Sequence, residues 1–82
     1  MIIGEMVFYS IDDTDWSDAA HDIFSDYISD SRVIHFELIA PGNLMEIEFG
    51  RSVSNNEAYL MMDDLAAELR SIGVRVDDWY TI

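Results

Sequence analysis

His35, Glu37, Glu46 and Glu48 are the residues whose types best fit a chemical site in this chain. One imidazole and three carboxylates make a plausible His-carboxylate metal set, provided two paired strands bring them to one face. On such a face the simpler chemistry is an ion pair between His35 and Glu48. His21 sits between Asp18 and Asp22, and within a helix it reads as a surface imidazole rather than a general base. Asp13-Thr14-Asp15 opens like a calcium loop, but glycine is missing at the turn position and glutamate at the twelfth. The serines form no Gly-x-Ser-x-Gly elbow, and there is no glycine-rich phosphate loop. With no cysteine, thiolate catalysis, disulfides and Cys-based zinc or iron–sulfur sites are excluded. A domain of this size also has little room for an enclosed pocket. The reading is therefore a non-enzymatic protein with no cofactor and no metal.

The elements that must position these residues follow from periodicity. Ile2 to Ile11 is rich in β-branched and aromatic residues and predicts a strand. Asp12-Asp13-Thr14-Asp15 offers N-caps for a helix whose apolar residues are Trp16, Ala19, Ala20, Ile23, Phe24 and Tyr27, ending near Asp30. Val33 to Ala40 and Leu44 to Phe49 both alternate about Pro41-Gly42, which predicts a hairpin. A two-residue loop there sets Ala40 opposite Asn43, Leu38 opposite Met45, Phe36 opposite Ile47 and Ile34 opposite Phe49. All but Asn43 are apolar, so this is the buried face, with His35 against Glu48 and Glu37 against Glu46 on the other. Pro-Gly itself favours a type II turn over the primed hairpin types.

Ser54-Asn55-Asn56-Glu57 is a capping box, with Val53 and Ala58 as its hydrophobic staple. The helix it starts carries Ala58, Met61, Met62, Leu65, Leu69 and Ile72 on one face and stops at Gly73. Val74 to Ile82 completes the chain as a strand with Val74 and Val76 inward. The order β-α-β-β-α-β in a single α+β domain over residues 1–82 predicts the ferredoxin-like arrangement. That arrangement is a four-stranded antiparallel sheet with two helices on one face and the other face open.

Charge is the dominant property of the whole chain. Seventeen acids against four bases, all arginine, give a net charge of -13 over 82 residues. Self-repulsion on this scale opposes the compact state, so the charge points to a partner or an environment. Half the residues are hydrophobic, which argues against a disordered acidic tail. A pI near 4.1 disfavours direct nucleic-acid binding and anionic membranes alike. No apolar run is long enough for a membrane span and the start lacks a basic signal region, so a soluble, cytosolic protein is expected.

The acids are also ordered. Asp15, Asp18, Asp22 and Asp26 fall within about 80° on one flank of the first helix, over roughly 16 Å. A single nucleic-acid strand places about five phosphates in that length and a duplex about ten. Asp30 extends the row. Asp26 and Asp30 near the helix C-terminus oppose its dipole, and like charges at i,i+4 add a further cost. Glu57, Asp64 and Glu68 form a flank on the second helix. The open sheet face is expected to carry Glu5, Val7, Tyr9, His35, Glu37, Ile39, Glu46, Glu48, Asp77 and Trp79 with Arg75. Trp16, Tyr59 and Leu60 are candidates for exposed apolar contacts. The candidate partner-binding residues are thus Asp15, Asp18, Asp22 and Asp26, then Glu37, Glu46 and Glu48.

In size, charge and expected fold, the chain resembles the small acidic inhibitors carried by phages and mobile elements. Anti-CRISPR proteins and other DNA mimics are the best-known group. The resemblance covers the whole chain and rests on physique rather than a motif. It implies stoichiometric inhibition, in host cytoplasm, of a basic nucleic-acid-binding protein such as a CRISPR effector or nuclease, by a monomer or homodimer. Three other readings share the physics or the fold: an immunity protein against a toxin nuclease, functionally neutral charge in a high-salt cytoplasm, and a ferredoxin-like regulatory or dimerisation domain.

Overall fold

The computed structural model describes residues 1–9, 17–39 and 43–82. They form β1 (Ile3–Phe8), α1 (Asp18–Ile28), β2 (Val33–Ile39), β3 (Leu44–Phe49), α2 (Asn55–Ser71) and β4 (Val76–Thr81). The strands make one four-stranded sheet in the order β2-β3-β1-β4, with every neighbouring pair antiparallel.

Alternation decides which face is buried. Met6 and Phe8 of β1 and Met45, Ile47 and Phe49 of β3 are buried, while the residues between them are only partly so. These side chains form one core with Ala20 and Phe24 of α1 and Ala58, Met61, Met62, Leu65, Ala66 and Leu69 of α2. Phe36 of β2 adds a tilted ring contact with Phe24, centroids 5.3 Å apart. Each fully buried large side chain of this core contributes about 1.5–3 kcal/mol. Gly4 lets α2 close on the sheet, because a Cβ there would stand 2.5 Å from the Met62 Sδ.

Side-chain and backbone caps set the helix limits. Ser17, rather than any residue of Asp12–Asp15, is the N-cap of α1: its hydroxyl accepts the Ala20 N–H at 3.2 Å. The Asp12–Asp15 segment, with Ile11 and Trp16, lies outside the described residues. The Ser54 hydroxyl accepts the Glu57 N–H at 3.1 Å, the N-cap half of the expected capping box, and Val53 and Ala58 are both buried. At the other end Gly73 has φ +92°, with Gly73 N–H to Arg70 O at 3.1 Å and Val74 N–H to Leu69 O at 3.0 Å. That pair of bonds is a Schellman motif, which glycine accommodates without strain. Ile72, expected on the core stripe, is the C-cap residue and is exposed, because the helix has stopped turning it inward.

The hairpin pairs Leu38 with Met45, Phe36 with Ile47, Glu37 with Glu46 and His35 with Glu48, as the alternation requires. Its open end departs from the expected register. The ladder slips between Val33 and His35, so Phe49 faces Val33 and not Ile34. A bulge carries an extra residue and turns it out of the pairing, which leaves Ile34 56% exposed on the edge strand. The expected Ala40–Asn43 pair and the Pro41-Gly42 turn lie outside the described residues.

A second slip, between Val7 and Phe8, changes β4. Phe8 pairs with Val76, Val7 with Asp78 and Met6 with Trp79, so Asp77 is the extra residue. Trp79 therefore stands on the helix side, not on the open face. It packs against the core and meets the Tyr59 ring edge-on at 4.7 Å. Tyr59 and Leu60 are about half exposed on α2.

Candidate functional site

The register places the outward residues of the sheet in a grid. Its central row runs Glu37, Glu46, Glu5 and Tyr80 across all four strands. One flanking row is Ile39, Leu44, Val7 and Asp78, and the other is His35, Glu48 and Ile3. Glu5, Glu37, Glu46 and Glu48 thus share one face, as expected. The Tyr80 hydroxyl donates to Glu5 Oε2 at 2.6 Å, and that carboxylate raises the hydroxyl pKa above its ordinary 10.

His35 Nε2 lies 3.5 Å from Glu37 Oε2, its neighbour along β2, rather than pairing across to Glu48. The side chains do not converge further: among the described residues no three His, Asp or Glu groups come together to hold a metal ion. Tyr9, Arg75 and Asp77, also expected on this face, gather just beyond the end of β1. There Arg75 lies 5.5 Å from the Tyr9 ring centroid, and a hydrogen bond to Asp77 raises the Tyr9 pKa.

Glu46 is the centre of this row, with a like charge directly across each neighbouring strand. Each such pair costs about 0.2–1 kcal/mol. Glu46→Gln is therefore expected to raise the thermal midpoint by several degrees in low salt, with the gain fading as ionic strength screens the pair. Thermal unfolding followed by circular dichroism checks this, and an unchanged or lower midpoint would show that the row carries no repulsion.

On the helix layer, Asp18, Asp22 and Asp26 are exposed on α1, and none of them forms an ion pair among the described residues. Asp15 lies outside those residues. The α1 and α2 flanks, read from the sequence as separate, meet at a cleft of about 210 Å³ lined by Asp26, Tyr27, Asp30, Arg32, Asp64 and Glu68. The Tyr27 hydroxyl bridges the helices by donating to Glu68 Oε2 at 2.8 Å. Burial pushes its pKa far above 10, helped by Glu68, Asp64 and Asp26.

Asp30 is not the free end of the acidic row. Arg32 binds it through Nη2 at 2.8 Å and Nε at 3.0 Å, and reaches Glu57 with Nη1 at 3.3 Å. Periodicity assigns Tyr27 only to the apolar stripe and gives Arg32 no role. A tyrosine at the edge of such a stripe, facing acids, is the signal that marks this cleft.

The Arg32 guanidinium holds the Asp30 carboxyl at about 2, below its ordinary 3.8. A depressed carboxyl adds stability that is complete above the unfolded value and is lost as pH falls through the folded one. The loss here falls between about pH 4 and about pH 2. Arg32→Ala is expected to make this part of the acid profile shallower than in the parent chain. Urea unfolding across pH 5 to 2 measures it, and superimposable profiles would remove the pair from the account.

No protein-family model matches this chain, and no curated protein matches it either.

Proposed function

We propose that this chain is a non-enzymatic acidic inhibitor that occupies the nucleic-acid-binding surface of a basic protein, with carboxylates standing where phosphates would. The observation that carries this reading is the meeting of two acidic flanks at the α1/α2 cleft, four carboxylates against the single guanidinium of Arg32. With exposed Asp18 and Asp22 further along the same flank of α1, the layer presents a broader field than one helix flank. Such a field speeds association with a positive groove and makes it salt-sensitive. The strand order, the antiparallel pairing and a core shared by both helices support a ferredoxin-like scaffold with the helices on one face. A CRISPR effector and a toxin nuclease would both meet this surface through the same physics.

The test is capture on the immobilised chain from bacterial lysate, eluted by a salt ladder and identified by mass spectrometry. The expected result is a basic nucleic-acid-binding protein that elutes at moderate salt and is displaced by duplex DNA or RNA. A captured protein that nucleic acid cannot displace, or recovery of the chain alone, would overturn the mimic reading.

A further inference from the structure

We infer that the open face of the sheet is a second docking surface, distinct from the helix layer, and that its occupant is a basic amphipathic α-helix of a partner protein lying across the strands. The face is neither a plain acidic cluster nor a plain apolar patch. The carboxylate row Glu37, Glu46, Glu5 runs beside the half-buried row Ile39, Leu44, Val7, and the two rows follow the same three strands. A matching partner must therefore offer a cationic line and an apolar line side by side.

Spacing selects the helix. Neighbouring strands stand about 4.8 Å apart, so three carboxylates span about 10 Å. Helix positions i, i+3 and i+7 lie on one line over about 10.5 Å at 1.5 Å per residue. An extended segment repeats its same-side residues every 6.8 Å or so, and three of them span about 14 Å, which is out of step. The rows themselves are separated by about 6.8 Å along the strands, near the roughly 5–6 Å between neighbouring side chains on a helix surface. A second copy of this chain does not fit, because Glu5, Glu37, Glu46, Glu48 and Asp78 would face their own like charges.

The probe is a 14-residue helical peptide with lysines at i, i+3 and i+7 and leucines at i+1, i+4 and i+8, titrated into the whole chain labelled with nitrogen-15. The control is a peptide of the same composition with the lysines distributed around the helix. The expected result is shift changes centred on the amides of Val7, Ile39, Leu44 and Glu46, with the control binding at least 10-fold more weakly. Glu5→Gln with Glu46→Gln should also weaken the patterned peptide at least 10-fold. This double variant removes like charges from adjacent strands, so its fold is retained.

Equal binding of the two peptides, shifts centred on the α1 and α2 acids, or peptide-free self-association through this face would each overturn the proposal. Its outcome is separable from that of the mimic reading. Asp18→Lys with Asp22→Lys is expected to leave peptide binding unchanged, and a failed nucleic-acid competition does not alter this titration.

Discussion

Phe49→Ala is expected to destabilise the fold by about 3–5 kcal/mol. Phe49 is fully buried and is the largest of the fully buried side chains, at the end of β3 where the ladder bulges. Its N–H also donates to Ile2 O at 2.9 Å, tying the start of the chain to the centre of the sheet. A domain of 82 residues has roughly 4–12 kcal/mol of total stability. A net charge of -13 pulls this chain toward the lower part of that range at low salt. The variant should therefore be largely unfolded in dilute buffer, and moderate salt should recover part of the loss by screening. Urea unfolding at low and moderate salt measures both effects. A loss below about 1 kcal/mol would mean that the burial of Phe49 contributes little to the core.

Asp18→Lys combined with Asp22→Lys is expected to weaken binding to the captured basic target about 100-fold, or about 2.7 kcal/mol. Both side chains are exposed and unpaired among the described residues, so the effect on folding is small. Its main component is the reversal at Asp18 in the first helical turn, where a cation opposes the dipole by about 0.3–1 kcal/mol. The binding loss should lie mainly in the association rate and shrink as salt rises, since long-range steering is what the reversal removes. Unchanged affinity with an intact circular dichroism spectrum would move the contact away from α1. Loss of affinity confined to Glu37, Glu46 and Glu48 variants would place it on the sheet.

Much of this molecule is legible without its tertiary structure, because the relevant forces are local. The N-cap at Ser54 and the glycine stop at Gly73 act within one helical turn. The pairing of Leu38 with Met45 and Phe36 with Ile47 follows from alternation alone, since a one-residue slip would exchange the faces. Acidity is a property of composition and needs no fold.

What only the tertiary structure decided comes from contacts between distant segments. The slips at Ile34 and Asp77 fall near strand ends, where two strands are paired in space, and no periodicity along one strand records them. The second slip takes Trp79 from the open face to the side of Tyr59, removing an aromatic from the expected docking surface. Glu5, expected on the open face, falls in line with Glu37 and Glu46 through the β1–β3 register, which the hairpin register does not contain. The acidic cleft arises because α1 and α2 pack together and bring Asp26, Asp64 and Glu68 around Tyr27. Residues close in sequence determined which elements form and which faces turn inward. Only long-range packing determined where the charges meet, because electrostatic fields depend on distance in space and not on separation along the chain.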